Sequence, residues 1–109
     1  MGIDRLMDHR QMAASLDDAN GKIVYRFRAR DLNLVAAPST RGTPVRFRVL
    51  IDGHAPGPAG GTDIDEQGFG TVSEPRMYQL IRQSGKIADR ECVIEFLSSG
   101  VSVYHFTFG

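Results

Sequence analysis

The sequence has 109 residues, the size of one domain that can bury about two thirds of its unfolded surface and fold without staples. Basic and acidic side chains balance at 13 each, so no global field draws nucleic acid or an anionic membrane, and electrostatic recognition has to be local. One cysteine, Cys92, excludes an internal disulfide and a C-x-x-C redox pair, and no apolar run is long enough to span a bilayer or form a signal-peptide core.

Ile3, Leu6 and Met7 have helical spacing in a short uncapped segment, so residues 1 to about 9 read as a helical turn or a loose arm. Met12 to Leu16 reads as a first strand. Turn chemistry from Asp17 to Gly21 would fold it as a hairpin onto the next strand, making residues 1–20 an arm or first hairpin strand and 21–109 the β domain. From Ile23 to Arg30, Ile23, Tyr25, Phe27 and Ala29 alternate with Val24, Arg26, Arg28 and Arg30, a period of two that predicts a strand with one buried face. The apolar parity then shifts to Leu32 and Leu34, which calls for a β-bulge near Arg30-Asp31 or a strand that bends from one sheet to the other.

After a loop over Pro38–Thr43, Val45, Phe47, Val49 and Ile51 alternate with Arg46, Arg48 and Leu50. The Gly- and Pro-rich stretch from Gly53 to Gly70 cannot be a core element, and a loop this long in a compact domain is usually functional or floppy. A strand region starts at Val72; Met77 to Arg82 puts Tyr78 and Leu80 on one face, without fixing how exposed Tyr78 is. Beyond a turn at Ser84-Gly85-Lys86, Cys92, Ile94 and Phe96 share a face, and Ser98-Ser99-Gly100 turns the chain into Val101–Phe108. There Tyr104, Phe106 and Phe108 read as one inward face of a central strand. The predicted core is Tyr25, Phe27, Val45, Phe47, Val49, Ile51, Ile94, Phe96, Tyr104, Phe106 and Phe108, with Cys92 a small residue within it. About eight short strands make this an all-β domain, a single antiparallel β-sandwich of jelly-roll type.

Asp63, Asp65, Gly68 and Glu74 nearly reproduce the spacing of a calcium loop. Gln67 stands where a short ligand is expected and the preceding HAPGPAGG cannot be an entering helix, so the run reads as an acidic surface turn with Asp63, Asp65 and Glu74 as a weak metal candidate. Arg26, Arg28, Arg30, Arg46 and Arg48 would share one sheet face if their strands are neighbours. That face is either a solvated surface laced with Asp89, Glu91 and Glu95 or a contact surface for an acidic partner. His9, His54 and His105 lack zinc-ligand spacing with Cys92, and no nucleophile motif occurs, so no catalytic residue, cofactor or metal is assigned.

LIDG at 50–53, the GTDID-QG-G run at 61–70, EPRMYQLIRQ at 74–83 and VYHFTFG at 103–109 together resemble the C-terminal domain of DipZ-type proteins. In that family a thioredoxin-like or peroxiredoxin-like domain precedes a β-sandwich with a carbohydrate-binding-module-like fold. The resemblance covers about residues 21 to 109 and departs in the absence of any tryptophan. It implies a non-catalytic accessory domain whose partner is a thioredoxin-like domain or protein, with a carbohydrate- or other ligand-binding module as the alternative. It implies an extracytoplasmic setting if the chain is a fragment of a longer exported protein; a complete chain would be cytoplasmic. Neither nucleic-acid binding nor membrane insertion is expected.

Overall fold

The computed structural model describes residues 14–16 and 21–109, so the expected N-terminal arm, Met12 and the turn from Asp17 to Asn20 lie outside the described residues. Eight strands follow in order: β1 (Ala14–Leu16), β2 (Lys22–Phe27), β3 (Asp31–Pro38), β4 (Val45–Ile51), β5 (Phe69–Val72), β6 (Arg76–Arg82), β7 (Arg90–Phe96) and β8 (Val101–Phe108). They form two four-stranded antiparallel sheets, a first of order β1-β8-β3-β6 and a second of order β2-β7-β4-β5. This is the jelly-roll sandwich the alternation predicts.

The expected hairpin between the first two strands does not form: β1 pairs with β8, Ala14 opposite Val103, while β2 pairs with β7 in the other sheet. A jelly roll reels the chain between its sheets, so sequence neighbours, β4 and β5 excepted, lie in opposite sheets instead of pairing edge to edge. The same crossing explains the parity change after Ala29. The chain bends at Arg28–Arg30 and leaves the second sheet for the first, where Leu32 and Leu34 take up the inward face.

The core between the sheets is built from Ile23, Phe27, Val45, Phe47, Val49, Ile51, Cys92, Ile94 and Phe96 on one side and Leu32, Leu34, Tyr78, Leu80, Ile81, Val101, Val103 and Phe106 on the other. Three of the expected core aromatics differ. Tyr25 is only partly buried, and Tyr104 and Phe108 are exposed. Val35 pairs with His105 while Ala36 pairs with Val103, leaving Tyr104 as an extra residue on β8. That bulge reverses the alternation, so Val101, Val103 and Phe106 point inward and Tyr104 does not. A similar shift on β6 brings both Leu80 and Ile81 into the core. Phe108 lies at the open margin of the sandwich, its ring 5.9 Å from that of Tyr25, which in turn stacks on Phe106 at 4.6 Å.

The β4–β5 connection is compact. Asp52 and Gly53, with φ of 50° and 82°, close a two-residue turn in which Ile51 and His54 exchange both backbone hydrogen bonds. These are the left-handed conformations of a type I′ turn, which the Asp-Gly pair suits. The chain then runs through a 3-10 turn at Gly57–Ala59 and lies along the outer edge of β6, where Gly61 and Asp63 donate to the carbonyls of Leu80 and Gln79. The loop thereby covers an edge that would otherwise offer unpaired donors and acceptors. Gly68, with φ of 96°, passes so close to the Val49 carbonyl that a Cβ would collide with it.

Candidate functional site

Two surfaces and one groove collect the polar chemistry. On the outer face of the second sheet, the β2, β7 and β4 registers place Lys22, Glu95 and Arg48 in one row, Val24, Val93 and Leu50 in the next, and Arg26 and Glu91 in a third. β7 separates β2 from β4, so the arginines do not form one unbroken patch. Their cations stand on either side of a central acidic strand, with Lys22 Nζ 4.0 Å from the Glu95 carboxylate. Arg46 and Arg48 both lie over the ring of Phe69, at 5.3 and 5.1 Å from its centroid, and Arg48 donates to the Gln67 carbonyl at 3.3 Å. Arg28 and Arg30 leave this face at the crossover. Arg28 pairs with Asp89 at 3.5 Å and Arg30 with Asp31 at 2.9 Å. Of the five arginines, the structure thus brings Arg26, Arg46 and Arg48 onto one face.

The acidic loop is organised by Arg76, a residue the spacing argument missed. Its guanidinium donates to Asp63 Oδ1 at 2.8 Å, lies 3.7 Å from the Glu74 carboxylate and sits 4.0 Å above the Tyr78 ring. Asp63 Oδ2 accepts the Gln79 amide at 2.7 Å, and Asp65 Oδ1 accepts the amides of Gln67 and Phe69, each at 2.9 Å. Desolvation pushes the Asp63 carboxyl up, but the Arg76 and Gln79 hydrogen bonds and the Arg76 charge outweigh it and hold its pKa below the ordinary value. A calcium ion here would have to compete with a guanidinium already seated on the carboxylate. In the structure Asp63 and Glu74 are engaged in ion pairs with Arg76 and Asp65 in a turn. Among the described residues no group of three or more His, Cys, Asp or Glu is arranged to hold a metal.

Tyr78 is fully buried. Its hydroxyl accepts the amides of Ser73 and Glu74 at 3.0 and 3.1 Å and donates to the Glu74 carbonyl at 2.6 Å, so the β5–β6 turn is fastened to the core by one side chain. That turn forms one wall of a groove of about 540 Å³ whose other wall is the β3–β4 loop from Pro38 to Gly42. At the opposite end, Gln83 is buried and bridges the sheets: it donates to the Ala29 carbonyl at 2.8 Å and accepts from Arg90 Nε at 3.0 Å, while Arg90 also binds Asp52 at 2.8 Å. Cys92 is wholly enclosed, and burial pushes its thiol up to about 12. Such a thiol is neutral at neutral pH and a poor nucleophile. His54 sits in the β4 turn and His105 on β8, while His9 lies outside the described residues.

An all-β sandwich with jelly-roll topology, a buried core thiol and charged side chains on its outer faces and loop ends defines a β-sandwich module. The chain belongs to the thioredoxin like C-terminal domain family, whose sequence model matches residues 7–109. No curated protein sequence matches it. Among solved structures it is similar to an active-site mutant of a family two carbohydrate esterase from Clostridium thermocellum (TM-score 0.63, 13% identity, covering 87% of this chain and 26% of that chain). It is also similar to a family two carbohydrate esterase from Cellvibrio japonicus (TM-score 0.58, 10% identity, 93% and 27%), and to CpGH89CBM32-6 produced by Clostridium perfringens (TM-score 0.53, 14% identity, 97% and 84%). At these identities the likeness is one of fold, and the chain spans about a quarter of the length of the two esterase chains.

Proposed function

We propose that this domain is a non-catalytic accessory module that docks against a thioredoxin-like domain or protein through the outer face of its second sheet. The observation that carries the reading is the Arg46–Phe69–Arg48 stack, with Arg46 exposed and Phe69 and Arg48 half-buried, beside the apolar row Val24, Val93 and Leu50. Arginine and aromatic residues beside apolar surface are the composition favoured in protein interfaces, and a guanidinium can grip a partner carboxylate with two hydrogen bonds. The buried Cys92 supports placing any thiol chemistry on the partner.

The expected result is that Arg26→Gln with Arg46→Gln leaves the chain folded, with only a small fall in melting temperature, while weakening binding of a thioredoxin-like domain about tenfold or more by calorimetry, with a loss that shrinks as salt rises. Unchanged affinity would refute this docking face. A second reading, a ligand-binding module for glycans, is favoured by Tyr104. The β8 bulge sets its ring exposed on the first sheet, as a sugar-stacking platform requires.

A further inference from the structure

The groove between the β3–β4 loop and the β5–β6 turn is walled on two sides. One wall is held by the three Tyr78 hydroxyl hydrogen bonds to Ser73 and Glu74. The other is held where Ser39 donates to the Gly100 carbonyl at 2.6 Å, its hydroxyl lies 3.2 Å from that of Ser102, and Thr43 donates back to Thr40 at 3.1 Å. A volume of about 540 Å³ falls within the range of small-ligand sites.

Its lining specifies a chemistry. Several arginines, Arg26, Arg46, Arg48 and Arg82 among them, have no carboxylate partner among the described residues, but of these unpaired arginines only Arg41 lies on the rim of the groove. A free guanidinium in a pocket selects a planar carboxylate, which it can grip with two parallel hydrogen bonds. Glu74, on the other wall, disfavours a dianion such as phosphate more strongly than a single carboxylate charge. Its own charge is already met by Arg76 at 3.7 Å, so it has less to gain from an ammonium group than from accepting hydroxyl hydrogen bonds. Ser39 and Ser73 add two hydroxyls, and the rings of Pro38 and Pro75 add apolar surface. The complement of this set is a molecule with one carboxylate, several hydroxyls and an apolar C–H face.

We propose that the groove binds a uronic acid residue, with Arg41 on the sugar carboxylate and Glu74 on its hydroxyls. The inference rests on the ligand-binding reading and is independent of the docking face. The test is titration of the isotope-labelled chain with glucuronic acid and digalacturonic acid, against glucose and cellobiose as neutral sugars and acetate as a bare carboxylate, followed by amide chemical shifts. The acidic sugars should perturb residues 39–43 and 73–76 and bind about tenfold more tightly than the neutral ones. Arg41→Gln should abolish that preference, and Glu74→Gln should weaken the acidic sugars with the melting temperature unchanged. Equal affinity for acidic and neutral sugars, acetate binding as tightly as the sugars, or indifference to Arg41→Gln would each overturn the proposal. Neutral sugars shifting only the amides around Tyr104 would remove the groove and leave the glycan reading standing; no binding by any sugar would remove both.

Discussion

Tyr104 and Phe106 are two residues apart on one strand yet meet different surroundings. Phe106 is buried and stacks on Tyr25 at 4.6 Å, whereas Tyr104 is 39% exposed. Truncating a buried aromatic removes both its transfer energy and the contacts of its neighbours, so Phe106→Ala is expected to cost about 3 kcal/mol. Tyr104→Ala is expected to change stability by no more than about 0.5 kcal/mol. Urea unfolding of the two variants checks this, and equal losses would show that the bulge does not exist in solution. The pair also marks where the sequence stops being legible. Tyr104, Phe106 and Phe108 alternate perfectly, and a bulge arises from how β8 meets β3, through the Val35–His105 and Ala36–Val103 pairs, which the single-strand pattern does not contain. Cys92, Ile94 and Phe96 carry no such interruption, and there the period of two gave the correct inward face.

The β4–β5 loop is rich in glycine and proline, which locally predicts an irregular segment; whether such a segment is ordered depends on its distant partners. Here those partners are the β6 edge, the Val49 backbone and Arg76. Asp63 joins loop to strand through Arg76 and the Gln79 amide, and these contacts, against the opposing effect of burial, keep its carboxyl below the ordinary 3.8. Because the folded-state value lies below the unfolded one, the stabilisation is present above about pH 3.8 and is lost as pH falls through the lower folded value. Asp63→Asn is therefore expected to cost about 1–2 kcal/mol at neutral pH and progressively less in acid, so that the two unfolding midpoints converge below the ordinary carboxylate range. A difference that stays constant from pH 7 to pH 2 would show that the Asp63 charge contributes nothing.

At the scale of the molecule, the fold class was legible because period-two segments with turn signals between them admit few all-β arrangements. The pairing was not: local turn chemistry suggests hairpins, while the reeled topology joins β1 to β8, β2 to β7 and β3 to both β6 and β8. The candidate sites divide in the same way. Arg26, Arg46 and Arg48 could be read from their own strands, but Arg41 and Glu74 line one groove only because the topology brings two loops to the same end of the sandwich. This topology also constrains how the chain unfolds. Neither sheet can keep its inner face covered alone, since Ile23, Phe47 and Phe96 from one and Leu34, Tyr78 and Phe106 from the other belong to a single core. The Gln83–Arg90–Asp52 chain of hydrogen bonds ties the sheets again at one end. Losing either sheet would expose the apolar surface of both, so unfolding is expected to be all-or-none. Pairings between strands far apart in sequence must form before they are rewarded, which places folding in the slower range of about milliseconds to seconds. Far-UV circular dichroism and tyrosine fluorescence should give coincident urea transitions. Phe47→Ala in one sheet and Leu34→Ala in the other should each move that one transition to lower urea without splitting it. Two separated transitions, each sensitive to only one of these substitutions, would mean that the sheets are independent and that the shared core does not govern stability.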